Sequence, residues 1–138
     1  MERVWLPGAQ EGFLRGVGLA DGVRAAGDYI VLGGQVGQAP DGSIAEGLRA
    51  QATQVMENIK AVVTAAGGSM SDIVHLTCLL SQETLDQKKE WWEILTNLLH
   101  DYMPDSQPAA TGYWVTELAS RRYLVEIQAT AVVGGSGS

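Results

Sequence analysis

Residues 123–133 read YLVEIQATAVV, which is the most regular alternation of apolar and polar side chains in the chain. Successive side chains of a β-strand point to opposite faces of the sheet, so this period of two predicts a strand with one apolar face. That face would carry Tyr123, Val125, Ile127, Ala129, Ala131 and Val133. The opposite face would carry Arg122, Leu124, Glu126, Gln128 and Thr130.

Two helices are predicted to cover the apolar face of this strand. The first begins at or near Ser43 and ends at Gly67-Gly68, a pair suited to a left-handed cap. Its apolar residues recur every three or four positions, at Leu48, Ala52, Val55, Ile59, Val62 and Ala66. The second helix is predicted over residues 83–103.

The remaining segments predict four further strands. Val23–Ala26 and Tyr29–Leu32 are expected to form a hairpin around a Gly27-Asp28 turn, with the second strand buried. Ile73–Leu80 and Ala109–Leu118 complete the set. The order β-β-α-β-α-β-β predicts an α+β fold, with a mixed sheet and two helices on one face.

Residues 1–133 are expected to form one domain, because 138 residues suit a single core. Residues 134–138 read GGSGS, which is typical of a flexible linker or a cloning scar and suggests an engineered chain.

The second helix is apolar around more than half of its circumference. Trp91, Ile94 and Leu98 form a stripe beside a first stripe that includes Leu85 and Trp92. One sheet face cannot cover both stripes, which favours a contact with another protein chain through Trp91, Ile94 and Leu98. Burial beneath the N-terminal segment is the alternative.

Composition excludes several classes of function. The net charge of −7, without a basic run, argues against a nucleic-acid partner. No apolar stretch is long enough to span a membrane, and no leader is evident, so the cytosol is the expected compartment. A single cysteine, Cys78, and two isolated histidines, His75 and His100, predict no metal site.

Glu126 is the polar residue that most needs an explanation, because it lies between Val125 and Ile127 in the final strand. In a closed cleft its carboxylate could act as a general acid or base. On a solvated face it would be ordinary, and Arg122 could pair with it across one strand face. The residue pattern alone leaves both interpretations open.

His75 is interpreted as structural rather than as a proton shuttle, and Cys78 as a core residue.

Four segments, in order, resemble the Rid/YjgF family of imine and enamine deaminases. They are GDYIVLGGQVG at 27–37, QATQVMENIKAV at 51–62, DIVHLT at 72–77 and VEIQATA at 125–131. The resemblance implies a chorismate-mutase-like fold assembled as a homotrimer around a central β-barrel. It also implies clefts between subunits that bind a small-molecule ligand, and chemistry without a cofactor.

The resemblance carries over only part of the family's active site. Glu126 matches the glutamate that helps to position water, and Gly34 matches a backbone position. Ala110 stands where family deaminases have the arginine that binds the substrate carboxylate, and a methyl group cannot replace a guanidinium. Ala20, Gly33 and Gly112 stand where the family has tyrosine, serine and cysteine. These small residues, with Tyr113, Trp114 and Trp92, predict an enlarged apolar pocket for a larger and less anionic ligand.

Two functions compete on this basis. The first is a divergent hydrolase of a bulky imine or enamine, with Glu126 activating water, for which standard 2-imino acid deamination is not expected. The alternative is a non-catalytic trimeric binding or assembly module, in an engineered self-assembling chain. RNA cleavage, an activity also associated with the family, conflicts with the charge of −7.

Overall fold

The computed structural model describes residues 1–8 and 12–134 and shows an α+β fold built on a mixed sheet. Its helices are α1 (Gly12–Val17), α2 (Leu48–Ala65) and α3 (Lys88–Tyr102). Its strands are β1 (Glu2–Val4), β2 (Gly22–Arg24), β3 (Gly27–Val31), β4 (Gln35–Val36), β5 (Ile73–Ser81), β6 (Ala109–Val115) and β7 (Val125–Gly134).

Strand β7 lies at the centre of the main sheet. It pairs antiparallel with β3 and β4 on one side and with β5 on the other. Strand β6 lies beyond β5 and runs parallel to it, with Leu76 opposite Ala110 and Leu80 opposite Trp114. Parallel neighbours need a crossover connection, and α3 lies in that crossover. The predicted fold class is therefore confirmed, including the mixed sheet.

The core lies between one face of the sheet and helices α2 and α3. Val125, Ile127 and Ala131 of β7 have no exposed surface, as their predicted position on the apolar face requires. Helix α2 buries Leu48, Ala52, Val55 and Ile59 as predicted, but its last buried residue is Val63 and Val62 is 40% exposed. Gly67 adopts φ +92° and ends α2, with Gly68 N–H donating to Val63 O. This is the predicted left-handed cap.

The N-terminal half departs from the sequence prediction in three ways. Strand β2 pairs with β1, so the predicted hairpin around Gly27-Asp28 is wrong. Gly27, at φ +146°, is instead the first residue of β3 and pairs with Gly134. Strand β3 is also not buried, because Tyr29 and Val31 are each 71% exposed. Local turn chemistry could not reveal these pairings, because the partner strands are distant in sequence.

Helix α2 begins later than predicted. Ser43 donates its backbone N–H to the Asp41 carboxylate in a short turn, at 2.9 Å, and does not start the helix. The hydrogen bond from the Ser43 hydroxyl to the same carboxylate, followed by this backbone hydrogen bond, lowers the pKa of Asp41. Gly47, at φ +88°, directly precedes the first helical residue, Leu48.

The predicted protein contact through Trp91, Ile94 and Leu98 is wrong. These side chains are 3%, 0% and 5% exposed and belong to the chain's own core. Helix α1, in a segment that the sequence analysis did not recognise as helical, packs on α3. Leu14 of α1 packs against the same core, and His100 Nε2 lies 3.0 Å from Gly16 O. The alternative of burial beneath the N-terminal segment is therefore correct. Residues 83–87 of the predicted second helix instead lie in a separate 3₁₀ helix, Gln82–Gln87, before α3.

The predicted linker at 134–138 lies outside the described residues except for Gly134, which ends β7. Among the described helices, none combines the length and the apolar character needed to cross a bilayer.

Gln51 of α2 connects the helix to the segment that enters β7. Its side chain is 2% exposed, and its Nε2 donates to Ala45 O at 3.1 Å and to Arg122 O at 2.8 Å. Its Oε1 accepts the Leu124 N–H at 2.8 Å. One buried amide thus satisfies three backbone groups, which would otherwise lose their partners inside the protein.

Replacing this amide should therefore cost stability. We expect Gln51→Leu to lower the free energy of unfolding by about 3 kcal/mol, because buried backbone groups are left without partners. Gln54→Leu, one turn away in the same helix, removes only a hydrogen bond to the Asn58 side chain and should cost less than about 1 kcal/mol. Urea unfolding at a fixed chain concentration measures both variants, and equal losses would contradict this role for Gln51.

Candidate functional site

Glu126 lies on the sheet face that points away from α2 and α3. Its neighbours Val125 and Ile127 are fully buried on the helix side, whereas the Glu126 side chain is half-buried on the other side. We call this second face, which also carries Tyr29, Val31, Leu79 and Tyr113, the open face. Arg122 forms no ion pair with Glu126, although both lie within the described residues, because Arg122 is in the turn before β7. The competing ion-pair interpretation is therefore wrong.

Gly34 lies directly against the Glu126 carboxylate. Strand pairing passes from Val31 opposite Thr130 to Gln35 opposite Ile127, so β3 and β4 contain one residue more than β7 between these pairs. The extra residue makes a β-bulge, which Gly33 and Gly34 occupy. Bulges bend the strand and are common next to active sites. A β-carbon on Gly34 would lie only 2.7 Å from the carboxyl carbon of Glu126. Because residue 34 has no side chain, the Glu126 carboxylate can occupy this space.

Tyr113 shares the open face with Glu126. Glu126 pairs with Leu79, and Leu79 pairs with Tyr113, so the three side chains form one row across β7, β5 and β6. Tyr113 is 49% exposed, and Tyr29 and Val31 on the same face are each 71% exposed. His75 also lies on this face, opposite Thr130, and is half-buried. The open face thus combines a carboxylate with large apolar side chains that nothing in residues 1–8 and 12–134 covers.

A second group of predicted residues lies on the helix side of the sheet. Ala110, Gly112, Trp114 and Trp92 line a cavity of about 110 Å³ between β5, β6, α1 and α3. We call this space the apolar cavity. Its other lining residues are Leu14, Leu19, Cys78, Leu80, Trp91, Leu95 and Thr111.

Ala20 and Gly33 are divided between these two groups. Ala20 is buried and pairs with Ala109 beside β6, next to the apolar cavity. Gly33 is exposed in the bulge beside β7. Strands β4 and β6 are three strand spacings apart, or about 14 Å. A single chain therefore does not bring Gly33, Gly34 and Glu126 into one site with Ala20, Ala110 and Gly112.

Part of the apolar cavity was not predicted from the sequence. Leu14 and Leu19 line it from the N-terminal segment, in which no helix or strand was predicted before Val23. The apolar residues Phe13, Leu14 and Val17 of α1 were the available signal, but a helix of 6 residues offers too little periodicity to recognise. Cys78 is in the core as predicted, and burial raises the pKa of its thiol to about 12. The thiol is therefore neutral and is not an activated nucleophile.

Nothing in the described part of the chain suggests a metal centre. Within residues 1–8 and 12–134, no three His, Cys, Asp or Glu side chains are grouped closely enough to hold an ion.

Comparison with known families matches residues 18–133 to the model described as Endoribonuclease L-PSP. The chain belongs to this family, which includes the Rid/YjgF proteins. The matched segment contains both the open face of β7 and the apolar cavity lining from Leu19 onward.

Relatives within the family carry different descriptions. A RutC family protein of Pyrococcus horikoshii is 33% identical over 108 residues, covering 77% of this chain and 80% of that protein. A protein of Salmonella typhimurium named 2-iminobutanoate/2-iminopropanoate deaminase is 44% identical over 52 residues, covering 37% of this chain and 41% of that protein. The crystal structure of the Rid-family protein YyfB from Yersinia pestis has a TM-score of 0.80. It covers 96% of this chain and 98% of YyfB at 23% identity, which supports the shared fold alone.

The close approach of Gly34 to Glu126 gives a structural prediction. Gly34→Ala should displace the Glu126 carboxylate by about 1 Å, because carbon atoms in contact need about 3.5 Å. Gly33→Ala is the matched control, since a β-carbon there would have no neighbour within 4 Å. Crystal structures of the two variants test this, and an unmoved Glu126 in Gly34→Ala would show that the approach is not tight.

Proposed function

We propose that the protein hydrolyses an imine or enamine in a cleft between copies of itself, with Glu126 activating the water. The position of Glu126 supports this most directly. Its carboxylate is half-buried on the open face, unpaired with Arg122, and lies in a space that Gly34 leaves free. A surface carboxylate would not need a glycine beside it.

The chemistry requires only water and one group that can accept and return a proton. The Glu126 carboxylate takes a proton from water as the water oxygen bonds to the imine carbon. The imine enters as its N-protonated form, so this addition gives a neutral amino alcohol, and the Glu126 carboxylic acid returns its proton to the nitrogen. The carbon–nitrogen bond then breaks, ammonia leaves, and the hydroxyl proton passes to the Glu126 carboxylate, which releases it to solvent as the carbonyl product forms. General acid–base catalysis of this kind contributes about 10²–10⁴-fold to a rate.

Assembly as a homotrimer would complete the site. In a ring, one edge of a subunit meets a different edge of the next subunit, so residues that are distant within a chain come together between chains. The edge with β3 and β4 carries Gly33, Gly34 and the adjacent Glu126, and β6 forms the opposite edge. Packing these edges together would also cover Tyr29, Val31 and Tyr113 around a central barrel.

The substrate should differ from that of the Salmonella relative. The family resemblance places Ala110 where an arginine binds the substrate carboxylate, and a methyl group offers a carboxylate no charge and no hydrogen bond. A 2-imino acid such as 2-iminobutanoate should therefore be a poor substrate. The ligand-binding residues that we propose are Ala20, Gly33, Gly34, Ala110, Gly112, Tyr113, Trp114 and Trp92.

The alternative, a non-catalytic trimeric module, loses part of its support. It rested on a contact through Trp91, Ile94 and Leu98, and these side chains are inside the core. Its remaining support is the GGSGS sequence at 134–138. It predicts no turnover, which the following experiment measures.

Glu126→Gln should reduce imine hydrolysis by about 10²-fold or more, because the amide cannot accept the proton from water. Imines are generated in situ, from primary amines by an amine oxidase and from amino acids by an amino-acid oxidase. The initial rate of ammonia release above the enzyme-free rate is then measured. Glu93→Gln, which changes an exposed carboxylate on α3, is the matched control and should retain full activity.

Two results would contradict the proposal. Equal rate enhancement by wild type and Glu126→Gln would remove Glu126 from the mechanism. No enhancement by the wild-type protein with any imine of either series would favour the non-catalytic module.

A further inference from the structure

The backbone around the apolar cavity does not require the small residues that line it. Gly112 has an ordinary backbone conformation, and a β-carbon there would lie 3.6 Å from Cys78 O and 3.7 Å from Cys78 Cβ. Both are normal contact distances, so alanine fits this strand without strain. Ala110 and Gly112 lie on the same side of β6, opposite Leu76 and Cys78. Two small side chains in alternate positions therefore create the space, and protein interiors rarely leave such space empty.

The lining of the cavity presents no charge to an occupant. The Trp114 indole N–H is already used, because it donates to Thr84 Oγ1 at 3.0 Å. The Cys78 thiol is neutral, because burial raises its pKa to about 12. Lys88, whose ammonium lies 5.3 Å from the centre of the Trp114 ring, is not among the residues that line the cavity. A carboxylate placed here would lose much of its hydration without meeting a positive charge, and such burial is unfavourable.

The cavity opens toward the edge where the proposed cleft would form. Thr111 and Gly112 are exposed on β6, which is the outer strand of the sheet on that side. Trp92, which packs edge-to-face on Phe13 at 5.2 Å, is 40% exposed at the helix side of the cavity. A ligand bound in the cleft could therefore place one of its groups in the cavity without any rearrangement of the core.

We propose that the apolar cavity binds the apolar group of the substrate, and that the substrate is a neutral imine or enamine rather than a 2-imino acid. This inference rests on the proposed function. A dry cavity of about 150 Å³ holds benzene, so 110 Å³ accommodates a branched group of about four carbon atoms, or a ring that extends into the open mouth of the cavity. An imine derived from 3-methylbutylamine is of this kind.

The test compares Ala110→Val, which adds two methyl groups inside the cavity, with Ala119→Val, which adds the same groups at an exposed loop position. Gly112→Ala is a second cavity variant in case Ala110→Val does not fold. Benzene serves as a probe of the cavity itself, and acetate serves as the anionic probe. Binding is followed by NMR titration of the tryptophan indole signals.

We expect benzene to shift the indole signals of the wild type and of Ala119→Val, but not those of Ala110→Val, and we expect acetate to shift none. For turnover, the ratio of kcat/KM for the 3-methylbutylamine-derived imine to that for the ethylamine-derived imine should fall about 10-fold in Ala110→Val. The ratio should not change in Ala119→Val. Binding that favours acetate over benzene would overturn the inference.

The outcomes separate this inference from the proposed function. If benzene binds but no imine is hydrolysed, the cavity is an apolar binding site and the hydrolase proposal fails. If imines are hydrolysed in a Glu126-dependent way but benzene does not bind and Ala110→Val leaves the ratio unchanged, the cavity is a packing void. In that case the substrate inference is overturned and the hydrolase proposal stands.

Discussion

The structure depends on the one-sided burial of its central strand. The residues of β7 on the helix side reach 0% exposure at Val125, Ile127 and Ala131. On the open face, nothing in the described chain covers the large side chains Tyr29 and Val31, which are each 71% exposed. A sheet with one buried and one solvated face is ordinary when the second face is polar. Here the second face carries aromatic and branched apolar residues, which is why we propose that another copy of the chain covers it.

The same constraint explains why one chain does not bring the candidate site residues together. Glu126 and Tyr113 point to the open face, whereas Ala110 and Gly112 point to the apolar cavity on the helix side. Alternation along the strands fixes this division, because adjacent residues of β6 must point in opposite directions. A copy that covers the open face would therefore do two things at once. It would bury the exposed apolar side chains, and it would bring the Glu126 side of one sheet to the β6 edge of the next.

Much of the fold follows from local sequence patterns. The alternation in residues 123–133 located β7 and its buried face, and the spacing of Leu48, Ala52, Val55 and Ile59 located α2. The predictions that failed concern contacts between distant segments. Gly27-Asp28 has the composition of a hairpin turn, but β2 pairs with β1. The apolar stripe at Trp91, Ile94 and Leu98 correctly predicted that these side chains are buried. It wrongly predicted another chain as their partner, because α1, which packs on α3, is too short to be recognised from its own sequence.

The candidate site shows the same limit. The alternation of β7 placed Glu126 on the face away from the helices, but only the bulge at Gly33 and Gly34 reveals how closely the backbone approaches it. The grouping of Tyr113 and Trp114 in one pocket could have been corrected from the sequence, since neighbouring residues of a strand face opposite sides. The contribution of Leu14 and Leu19 to the cavity could not, because it depends on how the N-terminal segment packs on α3.

The solution mass of the intact protein tests the central claim, that a second copy covers the open face and completes the site. We would measure it by light scattering during size-exclusion chromatography at micromolar chain concentration. The account predicts three times the chain mass of 14.7 kDa. A particle with the mass of one chain would contradict it, because the open face would then be solvated and Glu126 would have no second subunit with which to form a cleft.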